Sequence, residues 1–224
     1  MPEKRCAPSV SRPVASPQVA PHPRLADLVR RHTTMPYQRL PADYSRAAFD
    51  TLLARLGTTG CILDAGCGTG ASTQALARLH SQCLVVGVDK SAHRLERAPR
   101  DLPGNALLLR ADVVDIWLLM AEHRVKVVAQ YLLYPNPWPK PAQIMRRWPA
   151  HPIFPTIVRL GGRIECRSNW HVYVEEFALA AAAVDGRRPE LTEIADGEPI
   201  SPFERKYRAS GHRLHAVTLP PRLP

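Results

Sequence analysis

Five short apolar runs, CILDAG, CLVVGVD, ALLLRAD, VKVVAQYLLY and RIECRSN, alternate along this chain with stretches of helical texture. Those stretches begin near Ala71, Ser91, Val113 and Ala142, and WHVYVEEFALAAAAV adds another. A strand apolar on both faces cannot turn either face to water, so helices must cover both. Strand and helix in alternation then leave an α/β architecture: a mostly parallel sheet with helices on both faces, Rossmann-like in plan. HRLHAVTL, with Leu214, Ala216 and Thr218 against polar neighbours, reads as a last strand.

The 224 residues fit one such domain with extensions. Residues 1–24 hold six prolines among Ala, Ser and Val, a composition that predicts a disordered tail. A helical extension follows over 25–59, where PADYSRAAFDTLLARLG starts on Pro41, stripes Ala48, Phe49, Leu52, Leu53 and Leu56, and stops at Gly57. The α/β domain occupies 60–219. The longest apolar run, FALAAAAV, has eight residues, too few to span a membrane, and the N-terminus lacks a signal peptide's apolar core, so a cytoplasmic location is expected. The five cysteines show neither Cys-x-x-Cys nor His/Cys ligand spacing, and no metal is expected. Lys and Arg outnumber Asp and Glu nine to four over 1–60, eight to seven over 61–134 and thirteen to nine over 135–224. Basic flanks around a neutral middle suit an anionic partner such as RNA, and suit equally an arginine-rich surface with no partner.

LDAGCGTGAST follows the first strand. Gly66, Gly68 and Gly70 permit a tight turn and close approach of a ligand to the backbone, with a helix opening at about Ala71. Asp64 precedes the glycines, Asp89 ends the second strand and Asp112 the third. In one crevice, Asp89 can accept from ribose hydroxyls and Asp112 can reach the base of the same nucleoside. A dinucleotide fold has its third glycine three residues after the second, whereas here the spacing is G-x-G-x-G. This end of the chain resembles the class I S-adenosylmethionine-dependent methyltransferases. The resemblance implies S-adenosyl-L-methionine as cofactor, held by Asp64, Gly66, Gly68, Gly70, Asp89 and Asp112; NAD binding is the competing reading.

The fourth strand of such a sheet delivers YPNPWPKPAQ to the same crevice. Prolines fix the backbone, Asn136 offers an amide and Trp138 a flat face, so the segment reads as a rigid wall beside a planar nitrogen base, with Asn136 touching both acceptor and cofactor methyl. A Pro-rich crossover with Trp138 in the core accounts for the same residues. PNPWPK, then Arg146 and Arg147, then GGRIECRSNWHVYVEE and SPFERKYRASGHRLH, resemble the tRNA (guanine-N7)-methyltransferase family over about 60–218. That resemblance implies tRNA as partner, Asn136 at the catalytic position, and substrate contacts from Lys140, Arg146, Arg147, Asn169, Ser201 and Glu204. The chain departs from the family by Asn136 for an Asp, Ser168-Asn169 for Thr-Asp, Ser201 for a Thr, and PAQIM for a run of His and Lys.

Guanine N7 carries a lone pair and no proton, so its methylation needs in-line placement more than a base. Asn136 is compatible with that, and also with the Asn-Pro-Pro-aromatic segment of amine methyltransferases. Two other readings stand beside tRNA: a small heteroaromatic nitrogen acceptor, favoured by the loss of the basic run, and a non-catalytic RNA-binding relative.

Overall fold

The apolar runs become β1 (Cys61–Ala65), β2 (Leu84–Asp89), β3 (Ala106–Arg110), β4 (Val127–Leu133) and β5 (Arg163–Ser168), all parallel. A computed structural model describes residues 10–187 and 189–221 of the chain. The expected last strand is β7 (His215–Leu219), antiparallel to β5. The sequence did not suggest β6 (Glu190–Glu193), which pairs with β7 at the sheet's edge; all four of its residues are exposed, so no burial pattern announces it. The order β3-β2-β1-β4-β5-β7-β6 reverses direction between β1 and β4, which opens a crevice at the carboxyl ends of those two strands.

Eight α-helices are described: α1 (Leu25–Thr34), α2 (Asp43–Arg55), α3 (Ala71–Leu79), α4 (Ala92–Leu95), α5 (Val113–Glu122), α6 (Phe154–Leu160), α7 (His171–Asp185) and α8 (Pro202–Ala209). The helix expected from Ser91 is a single turn. The one expected from Ala142 is two 3-10 turns, Pro141–Arg146 and Trp148–Ala150, ahead of α6. Pro141 and Pro149 lack the amide that a longer α-helix there would need.

Trp117, Phe154, Tyr173 and Phe177 fill the core, fully buried. The buried polar residue of β4, Gln130, is satisfied on every side. It accepts from Trp117 Nε1 at 3.1 Å and donates to the carbonyls of Ile157 and Gly161 at 2.9 and 3.0 Å, pinning α5 and the end of α6 to the central strand.

Composition predicts disorder for residues 1–24, yet residues 10–24 run as an irregular segment against the domain. Val14 packs on the core and the Ser11 amide donates to Ser210 Oγ at 2.9 Å. A Pro-rich segment with no helix or strand ladder of its own can be fixed when a folded surface supplies partners for its backbone, and here one does. Residues 1–9, including Cys6, lie outside the described residues.

Candidate active site

Gly66, Gly68 and Gly70 all take positive φ, at 80°, 61° and 79°. A Cβ on Gly66 or Gly68 would meet nothing within 4 Å, so the loop's open side is a cradle, whereas one on Gly70 would come within 2.6 Å of Leu108. The Gly66 and Cys67 amides donate to the Val88 carbonyl at 2.8 and 3.0 Å. The Gly68 amide donates to Asp89 Oδ2 at 3.0 Å, and Asp89 Oδ1 accepts from the Ser91 amide at 2.8 Å. Asp89 thus shapes the loop it was expected to stand beside, and lines the cavity above it.

Asp64 is buried beneath the loop. Its Oδ2 accepts from Ser72 Oγ at 2.6 Å and Thr73 Oγ1 at 2.7 Å, which ties β1 to the first turn of α3. Gly87 makes room for this: a Cβ there would lie 2.1 Å from Thr73 Oγ1. Burial pushes the Asp64 carboxyl up to about 6, with the Asp89 charge adding to the rise and the two hydroxyls opposing it. Burial likewise raises the Cys67 thiol, so this loop residue is no thiolate nucleophile at neutral pH. Asp112 caps α5 by accepting from the Val114 amide at 3.0 Å and pairs with Arg39 at 3.0 Å. Those partners occupy the carboxylate that was expected to reach a nucleoside base.

A cavity of about 440 Å³ joins Gly66 and Asp89 to Asn136 and Pro137, with Phe203 and Tyr207 of α8 on the facing side. Gly68 and Ser201 line an adjoining pocket. Tyr134 and Trp138 hold positive φ, 53° and 45°, in a region costly for bulky residues. Asn136 is exposed, and its Oδ1 accepts from the Trp138 amide at 3.3 Å.

The residues expected to touch substrate divide. Lys140 and Arg146 are exposed, with Arg146 4.7 Å above the Trp138 ring. Asn169 donates toward His212 Nδ1 at 3.0 Å. Ser201 caps α8, accepting from the Glu204 amide at 3.1 Å. Arg147 and Glu204 are corrections: both are 0% exposed. Arg147 meets both oxygens of Glu176 at 2.7 and 2.8 Å, and Glu204 accepts from Arg167 at 2.9 Å and Arg208 at 2.8 Å. Each is consumed by an internal ion pair that its surface-like spelling concealed. Phe203 and Tyr207 were missed, although their i, i+4 spacing on α8 puts two rings on one helix face.

The family model described as "Methyltransferase domain" matches residues 62–150. The protein is an S-adenosyl-L-methionine-dependent methyltransferase of the class I fold. It is similar to the tRNA (guanine-N(7)-)-methyltransferase of Acidovorax sp. (strain JS42), 26% identical over 78% of this chain and 73% of that one. It is also similar to the trans-aconitate 2-methyltransferase of the same strain, 38% identical but over only 35% of this chain and 31% of the other. The solved 16S rRNA methyltransferase KamB shares the fold, with a TM-score of 0.53 and 19% identity over 82% of this chain and 95% of that one. Among the described residues of this methyltransferase, no cluster of His, Cys, Asp or Glu is placed to hold a metal. None of its described helices is long and apolar enough to cross a membrane.

Proposed function

We propose that this methyltransferase acts on a nitrogen of guanine in tRNA, N7 in the first place. The observation that carries the reading is one cavity in which the glycine cradle, Asn136 and the rings of Phe203 and Tyr207 converge. Open space over Gly66 and Gly68, with the Asp89 carboxylate at the lip, fits S-adenosyl-L-methionine; bound there, it supplies an electrophilic methyl on a sulfonium. The protein's part is placement. Phe203, 47% exposed, and Tyr207 offer flat faces on which a splayed-out purine stacks, and the Asn136 amide orients its edge.

The lining also matches the nucleophile. It contains no His, Cys or Lys, the Tyr134 and Tyr207 phenols are raised by burial, and its one carboxylate, Asp89, is engaged by the Gly68 and Ser91 amides. An acceptor whose lone pair is already free suits such a cavity. The exposed cations Lys140, Arg146, Arg205 and Lys206 stand in no ion pair among the described residues, which suits a phosphate backbone. The relative from Acidovorax agrees by name.

A small heteroaromatic acceptor is the second reading. It is favoured by the turn Pro141–Arg146, which presents no cation before Arg146 and buries Ile144. Radiolabelled methyl transfer to unmodified bulk tRNA, followed by nucleoside analysis, separates the two. The expected product is 7-methylguanosine, with Asn136→Ala lowering kcat about 10–100-fold at nearly constant cofactor affinity. No label in tRNA beside turnover of small heteroaromatics overturns the tRNA assignment.

A further inference from the structure

Pro135, Pro137 and Pro139 have no amide hydrogen, so the wall from Tyr134 to Lys140 has few backbone donors with which to brace itself. Its carbonyls are held from outside. Arg147 Nε donates to the Trp138 carbonyl at 3.1 Å, Ser16 Oγ to that of Pro139 at 2.6 Å, and Arg147 Nη2 to that of Lys140 at 3.4 Å. Three consecutive carbonyls are thus gripped by two side chains, one of them from the N-terminal segment.

Arg147 must itself be aimed, and the same segment does it. Gln18 Oε1 accepts from Arg147 Nη2 at 3.0 Å, while Gln18 Nε2 donates to Glu176 Oε1 at 2.7 Å and to the Ala20 carbonyl at 2.8 Å. The His22 amide adds a donor to Glu176 at 3.1 Å. The reverse orientation of Gln18 would set its NH2 against the guanidinium, so the polar pattern fixes the side chain. An apolar set of equal volume often replaces a buried ion pair without loss of stability, but it cannot donate to two carbonyls.

The segment reaches the opposite wall as well. The Ser11 carbonyl accepts from His212 Nε2 at 3.0 Å, and Asn169 donates to His212 Nδ1 at 3.0 Å. With Asn169 donating to Nδ1, the Ser11 carbonyl calls for a proton on Nε2, and the ring stacks on Tyr207 at 5.2 Å and 13°.

We propose that Ser16 and Gln18 are positioning residues of the methyl-transfer site, and that the N-terminal segment is a working part of it. Ser16 fixes the Pro139 carbonyl directly; Gln18 acts through Arg147 on the carbonyls to either side. The proposal rests on the reading that this wall receives the acceptor. A misplaced wall leaves the cofactor cradle intact and spoils the line of attack.

The test uses the full chain carrying Ser16→Ala and Gln18→Ala together. The expected result is a kcat for unmodified tRNA lowered about tenfold or more, with cofactor affinity by calorimetry within about twofold of wild type. Amide hydrogen exchange over 138–147 should accelerate while that over 61–72 does not, a readout that needs no acceptor. Ser16→Thr, which keeps the hydroxyl, should restore the single-site loss of Ser16→Ala. Unchanged kcat in the double variant, with or without faster exchange, overturns the positioning role. If Asn136→Ala is crippled in that case, the positioning proposal alone has failed; if Asn136→Ala is also inert, the acceptor-wall reading has failed with it.

Discussion

Two loops leave the carboxyl ends of β1 and β4 side by side and are held by opposite chemistry. The glycine loop after β1 is rich in backbone N–H groups, and acceptors on the neighbouring strand take them: the Val88 carbonyl and the Asp89 carboxylate. The proline loop after β4 is poor in N–H groups and rich in carbonyls with no ladder to join. It must import donors, and it takes them from the Arg147 guanidinium and the Ser16 hydroxyl. A loop meant to cradle a ligand keeps its open side clear of side chains, as the space over Gly66 and Gly68 is here. A loop meant to be a fixed wall can dispense with amides if cations and hydroxyls from elsewhere hold its carbonyls.

The largest expected effect tests this contrast at adjacent residues. Arg147→Ala strips the donors from two wall carbonyls and leaves Glu176 buried without its cation, so it should cost about 3–5 kcal/mol of stability in urea denaturation. Arg146→Ala, on the exposed face, should stay within about 0.5 kcal/mol of wild type. Comparable losses from the two would erase the distinction between a holder of the wall and a cation of its rim.

The same contrast explains what could be read from the sequence. Strand runs, the glycine turn and the strand-end aspartates were legible because their partners are close along the chain: 21 residues separate Gly68 from Asp89, and 8 and 9 separate Asp64 from Ser72 and Thr73. The wall was legible as a rigid segment, but not its support, since Ser16 lies 123 residues from Pro139 and Gln18 129 from Arg147. Composition marks residues 1–24 as a tail because nothing local gives them structure; for residues 10–24, partners far along the chain do. Arg146-Arg147 and the Glu204–Arg208 stretch are spelled like surface charge. Which arginine of a pair turns inward depends on where α7 puts Glu176, and no period in the sequence records that.

A second test addresses the glycine loop, where the holder titrates. The Asp64 carboxyl is raised from an ordinary 3.8 to about 6, chiefly by burial. The folded state therefore binds this proton more tightly than the unfolded chain does. Its contribution to stability is present below about pH 4 and is lost as pH rises through about 6, by roughly 3 kcal/mol for this one group. Urea denaturation of wild type and Asp64→Asn at steps from pH 4 to 7 reads the difference, since the amide cannot ionise. Parallel curves would mean that Asp64 is not strained by its burial.

The smallest expected effect falls on the rim. Arg146 lies over the Trp138 ring at 4.7 Å and leaves its charge in solvent, beside a wall whose rigidity it does not supply. If tRNA crosses this rim, each cation set against a phosphate adds about 0.7–0.9 to the slope of log affinity against log salt. Arg146→Gln should therefore reduce that slope by about one phosphate's worth, at unchanged folding stability and cofactor affinity. Arg147 cannot be substituted alongside it for this purpose, because its loss perturbs the fold and would mimic weakened binding. Titration of unmodified tRNA from low to moderate salt, with wild type and Arg146→Gln in parallel, gives both slopes directly. Equal slopes remove Arg146 from the interface. A wild-type slope near zero removes the phosphate backbone from recognition altogether, and with it the main reason to prefer RNA over a small planar acceptor.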